Sequence, residues 1–173
     1  LGYNQAIVYI RQPGTFTGER ADIDYDKVPR VYGLMAFREL EETGVMQVRR
    51  SPQLGQRGRG VLIGIIDTGV NPDSPLFRYE DGSTRMVAYW DQGDQAGRRP
   101  EGYGFGREWN REEIDRALAE NPRELPRDEN GHGTFLAAVA AGREIEELEF
   151  SGVAPDSELI VVKLRRPKRY LLG

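Results

Sequence analysis

Two side chains have the types and settings for proton-transfer chemistry: Asp67, in GIIDTGVNPD (64–73), and His132, in ENGHGTFLAAVAAG (129–142). Asp67 follows the apolar run VLIGII (61–66) and precedes Thr68-Gly69, where the glycine allows a sharp exit with positive φ. His132 is the only histidine, and Gly131 and Gly133 on either side let backbone or substrate come close. A carboxylate at a strand end beside a histidine at a helix start makes a general base held by an orienting acid. The acid accepts the Nδ1 proton, fixes the tautomer and stabilises the imidazolium, which leaves Nε2 facing a nucleophile. Plainer roles exist for each residue: Asp67 as the cap of a strand-end turn, His132 as a surface residue at a helix start. A rival chemistry takes Asp67 as the single aspartate of a homodimeric aspartic protease, whose two copies share one proton. That reading needs an all-β chain and gives His132 no task.

The elements around these residues predict an α/β chain with a largely parallel sheet and flanking helices. VLIGII is a continuous β-branched run, expected of a parallel strand covered on both faces. RMVAYW (85–90) and ELIVVKL (158–164) are further strands. In NREEIDRALAE (110–120), Asn110 can cap a helix, Glu112 and Glu113 favour its first turn, and Ile114 and Leu118 lie on one face. GTFLAAVAAG (133–142) is polar nowhere after Thr134 and is expected to be a helix buried on nearly every side. Its Phe135, Leu136, Val139 and Ala140 are expected to form one core with VLIGII and with LIVV (159–162). DQGDQAGRRPEGYGFG (91–106) reads as Gly-rich loop. Upstream, QAIVYI (5–10) reads as a short strand, YGLMAFRELEETG (32–44) as a helix ending at Gly44, and SPQLGQRGRG (51–60) as an exposed connector. The chain therefore divides into an arm and connector, 1–60, and a core, 61–173.

Composition excludes several functions. The 24 Lys and Arg against 28 Asp and Glu leave a net charge of −4, too small to imply a nucleic-acid or membrane partner. No window holds the roughly 20 apolar residues that a membrane helix needs. The basic cluster RRPKR (165–169) has no interleaved aromatics and reads as a solvated strand exit. GYGFG (102–106) lacks the lysine and the strand-to-helix context of a phosphate loop. One histidine and no cysteine make a poor zinc set. Starting on Leu1 and lacking a basic, apolar leader, the chain is expected to be a piece of a longer protein.

Three segments, VLIGIIDTGVN, NGHGTFLAAVAAG and SGVAPDSELIVVKL, resemble in order three successive blocks of the subtilisin-like serine proteases, peptidase family S8. RGRGVLIGIIDTG, STRMVAYWDQ, PRDENGHGT and VVKLRRPKRYL are similar to the Csp-like branch of spore-forming bacteria. The resemblance covers about residues 57–170. It implies a subtilisin-like fold, protein or peptide substrates, Asp67 as triad acid and His132 as general base. It also implies an extracellular or spore-associated setting and no required cofactor. Structural calcium is common in such enzymes, and Asp91, Asp94, Asp128 or Glu129 could contribute oxygens.

Two departures stand out. Asp67 and His132 are 65 positions apart, about twice the subtilisin interval, the surplus being mainly 91–127. No nucleophile follows: Ser51, Ser74, Ser83, Ser151 and Ser157 all lack a Gly-Thr-Ser-x-Ala setting. The fold is thus expected to stop before its serine-bearing part, so that the rest of the catalytic domain is needed to complete the site. The competing expectation is a non-catalytic relative that binds or regulates.

Overall fold

The computed structural model describes residues 37–165. The strand expected at 5–10, and the 165–169 cluster beyond its first residue, lie outside the described residues. Four strands form one sheet: β1 (Leu62–Asp67), β2 (Met86–Asp91), β3 (Arg107–Asn110) and β4 (Glu158–Lys163), in the order β1-β4-β2-β3. β4 runs parallel to both β1 and β2, and only β3 is antiparallel. The register places Ile63, Leu159 and Met86 in one row and Ile65, Val161 and Tyr89 in the next. Because side chains alternate across a strand, these rows share a face. The third row of that face, at the carboxyl ends, is Asp67, Lys163 and Asp91.

Two helices cover this face. α3 (Arg111–Glu120) begins with a complete capping box, in which Asn110 accepts from the Glu113 amide and Glu113 accepts from the Asn110 amide. It buries Ile114, Ala117 and Leu118 against Met86, Tyr89 and Trp109. α4 (His132–Ala141) lies on β1 and buries Ala137, Ala138 and Ala141. Small residues let its backbone come close to the strand, and that proximity is what brings its first residue, His132, to the end of β1.

Upstream, α1 (Phe37–Glu42) is the helix expected before Gly44, and a second, unexpected helix, α2 (Val45–Arg50), follows it. The first stops short of Gly44, whose φ of 83° turns the chain straight into the second. The described residues belong to one compact unit. Within it Arg49 ties α2 to the turn before β4, donating to Ser151 Oγ and to the carbonyls of Gly152 and Val153. Beyond Asp91, which closes β2, the expected loop runs over 92–106, and β3 follows it. Its four residues, REWN, are too few and too charged to show a period.

The other corrections concern burial. α4 is not enclosed on nearly every side: Phe135 is 38% and Leu136 40% exposed, and the core uses the alanines instead. β1 is an edge strand among the described residues, and it is covered on one face only. Leu62, Gly64 and Ile66 lie on the opposite face with Ile160, Val162, Ala88 and Trp90, and no described helix packs there. Ile66 is 68% exposed. A contiguous apolar face beside a free strand edge favours association. Ile66→Lys should therefore reduce self-association of the 173-residue chain in sedimentation velocity. It should shift stability by no more than about 0.5 kcal/mol, as at other surface positions. A monodisperse wild-type chain that binds no apolar dye would contradict this.

Candidate active site

The exit from β1 is fixed from several sides. The Asp67 carbonyl accepts from the Leu164 amide at 2.8 Å, which keeps the strand paired to its last residue. Gly69 adopts a φ of 115°, and a side chain there would run into Tyr89 Oη and the Lys163 stem. Tyr89 is buried, and its hydroxyl accepts from the Val70 amide at 3.1 Å. Burial pushes its phenol well above the ordinary range. The turn is therefore rigid, and it aims the Asp67 carboxylate across the end of the sheet.

Helix α4 starts at Gly131, with φ 88° and no side chain to cap the first turn. Groups from elsewhere satisfy the amides left over there. Gly133 N–H donates to Thr68 Oγ1 at 3.1 Å, and Thr134 N–H to Asp128 Oδ2 at 2.9 Å. His132 is thus held over the β1 exit, and its Nδ1 lies 2.8 Å from Asp67 Oδ1. A carboxylate only accepts, so Nδ1 donates to it, and in the neutral ring Nε2 then has the lone pair. Asp67 Oδ1 also accepts from the Thr68 amide at 2.7 Å. That amide first, and then the histidine, hold the Asp67 carboxyl below the usual carboxylate range. The two residues singled out in the sequence are in contact, although 65 positions separate them.

Beside the pair lies an open cavity of about 580 Å³, lined by Asp67, Thr68, Glu129, Asn130, His132, Lys163, Leu164 and Arg165. None of the five serines lines it. Ser151 and Ser157 are buried and donate to the carbonyls of Gly152 and Ala154, Ser83 bonds Asp81, Ser74 caps a short turn, and Ser51 accepts from the Leu54 amide. The pair can accept a proton from a hydroxyl delivered to Nε2, and no serine among these residues is placed to deliver one.

The carboxylates considered as calcium ligands are otherwise engaged. Asp91 accepts from the amides of Gly93 and Asp94 and pairs with Lys163, and Asp94 accepts from the Ala96 amide. Asp128 is turned inward among protein donors. Among the described residues no group of three or more His, Cys, Asp or Glu could hold a metal ion.

Comparison with known proteins matches residues 58–170 to the Subtilase family. The chain belongs to this family. As a subtilase it is similar to Subtilisin-like protease SBT1.9 of Arabidopsis thaliana, with 32% identity over 129 residues, 61% of this chain and 16% of that protein. It is similar also to the Intracellular serine protease of Paenibacillus polymyxa, 30% identical over 108 residues, 62% of this chain and 24% of that one. Among solved structures the Clostridium perfringens CspB protease superposes with a TM-score of 0.64 at 25% identity, over 75% of this chain and 25% of that one. The fold is accordingly subtilisin-like. The chain spans about a quarter or less of the length of these subtilase relatives.

Sequence reasoning missed the parts that hold the subtilase pair together. Thr68, Tyr89 and Asp128 never stood out as positioning groups, and Lys163 drew no attention at the cavity. For Asp128 a signal existed: an aspartate four residues before His132 and six before Thr134, upstream of a helix whose own cap is glycine.

Proposed function

We propose that these residues are the acid and base portion of a subtilisin-like serine endopeptidase, in which Asp67 orients His132 and the serine lies outside the 173 residues. The observation that carries the reading is the 2.8 Å Nδ1–Oδ1 pair at the rim of an open cavity. A serine hydroxyl at Nε2 would give its proton to His132 as its oxygen bonds to the peptide carbonyl carbon. The imidazolium, stabilised by Asp67, then returns that proton to the leaving amine as the C–N bond breaks. Water, activated by the same imidazole, releases the acyl group. Oxyanion donors would also come from outside this chain. Protein or peptide substrates fit the family, and neither nucleic acid nor a membrane is required.

The test is labelling with a serine-directed fluorophosphonate, followed by peptide hydrolysis. The 173-residue chain should neither label nor hydrolyse. A longer chain that includes a Gly-Thr-Ser block should do both, and His132→Ala should abolish both. His132-dependent labelling of the 173 residues would place the nucleophile among the five serines instead. A longer chain that folds and does not label would mark a non-catalytic binding protein.

A further inference from the structure

Asp128 receives five hydrogen bonds. Its Oδ1 accepts from Thr68 Oγ1 at 2.8 Å, Asn130 N at 3.1 Å and Gly131 N at 2.9 Å. Its Oδ2 accepts from Thr134 N at 2.9 Å and Thr134 Oγ1 at 2.7 Å. These donors come from both halves of the site: Thr68 follows Asp67, while Asn130, Gly131 and Thr134 surround His132. Asp128 is buried, with 7% of its surface exposed, and its amide donates to Asn71 Oδ1 on the β1 exit. Burial alone would raise its carboxyl, but the Thr134, Gly131 and Thr68 bonds outweigh it and bring the group down to about 2. It is a carboxylate throughout the neutral range.

An acceptor-only group also fixes which way neighbouring hydroxyls point. Because Thr68 and Thr134 must both donate to Asp128, their lone pairs remain for the other element. Thr68 Oγ1 accepts from Gly133 N, and Thr134 Oγ1 accepts from Asn71 N at 3.2 Å. Each hydroxyl is thereby a one-way link between the strand exit and the helix start. A carboxylate at this helix start also suits its dipole.

We propose that Asp128 is the positioning residue of the pair: its carboxylate clamps the β1 exit to the first turn of α4 and so sets the Asp67–His132 contact. It touches neither reacting group. Its geometric role stands on the contacts above, and its catalytic consequence rests on the proposed function. Asparagine is a demanding substitute, because either orientation of its amide points N–H groups at N–H or O–H donors.

His132 is the only histidine, so its ring nitrogens can be read without assignment in long-range 1H–15N spectra of the 173-residue chain. In alkaline buffer the wild type should hold the Nδ1–H tautomer. Asp128→Asn should shift the ring toward the Nε2–H tautomer that free histidine prefers, with circular dichroism and core dispersion retained. Asp67→Ala, which removes the acceptor, gives the reference for a released ring. An unchanged Nδ1–H tautomer in a folded Asp128→Asn chain would overturn the proposal. Should that variant unfold, Thr134→Val and Thr134→Ser decide: the valine should release the ring and the serine should hold it, and equal behaviour would overturn the clamp. In the longer enzyme Asp128→Asn should lower kcat by about 10²-fold, the size expected of an ångström-scale misplacement, with KM little changed. If the ring responds as described while the longer wild type hydrolyses nothing, the clamp stands and the endopeptidase reading fails.

Discussion

Asp67→Asn, in a chain long enough to carry the serine, should lower kcat by about 10⁴-fold, or about 5.5 kcal/mol of transition-state stabilisation. On the proposed function, two routes lead to that loss. Asp67 Oδ1 accepts from both His132 Nδ1 and the Thr68 amide. If the asparagine oxygen occupies that place, both bonds persist but the charge that stabilises the imidazolium is gone. If the amide nitrogen occupies it, the Thr68 N–H is opposed and the imidazole must adopt the tautomer that presents N–H, not a lone pair, to the serine. Either way the deficit arises only as the proton moves, so kcat and kcat/KM should fall together. Steady-state hydrolysis of a peptide substrate checks this. A loss below tenfold would mean that Asp67 does not orient the base.

How far the sequence carried this site depends on the range of each interaction. Asp67 and His132 were legible because each sits where a local pattern changes, from a β-branched run to a turn and from a Gly-flanked loop to an apolar helix. The largely parallel sheet followed from apolar runs alternating with helices, but the pairing of β1 with β4, across β2, β3, α3 and α4 in the chain, did not. Asp128 was read only as a candidate calcium ligand, because a carboxylate in a loop has no periodicity to mark it as a positioning group. Its meaning lies in donors from residues 68 and 130–134, which only the folded chain collects. The burial of α4 was misjudged for a related reason. An apolar helix gives no sign of which face will be covered, and here the small face of Ala137, Ala138 and Ala141 packs on the sheet while Phe135 and Leu136 face outward. β1 was likewise read as covered twice, since apolar character reports a preference for burial and not the presence of a partner.

Gly133→Ala should unfold the site from within. A Cβ at this position would be driven into the Gly69 carbonyl oxygen and would stand 3.0 Å from Asp67 Cβ and 3.2 Å from Asp67 Oδ1. None of these is the far end of a flexible chain. The Gly69 carbonyl belongs to the turn that Tyr89 and the Leu164 amide hold, and Asp67 is bound on both sides. Alanine favours a helix interior over glycine by about 1 kcal/mol, but overpacking against fixed backbone costs roughly 1–3 kcal/mol or more. The steric cost wins, because relief requires the first turn of α4 to lift off β1, which breaks the Gly133–Thr68 bond and separates His132 from Asp67. A net destabilisation of about 2 kcal/mol is expected in urea unfolding, together with release of the His132 tautomer. Gly64→Ala is the matched control, since a Cβ there meets nothing within 4 Å. It should leave stability unchanged or raise it slightly, by up to about 1 kcal/mol, as alanine restricts the unfolded chain. If Gly133→Ala is as stable as Gly64→Ala, the close approach of α4 to the end of β1 is wrong, and the contact between Asp67 and His132 goes with it.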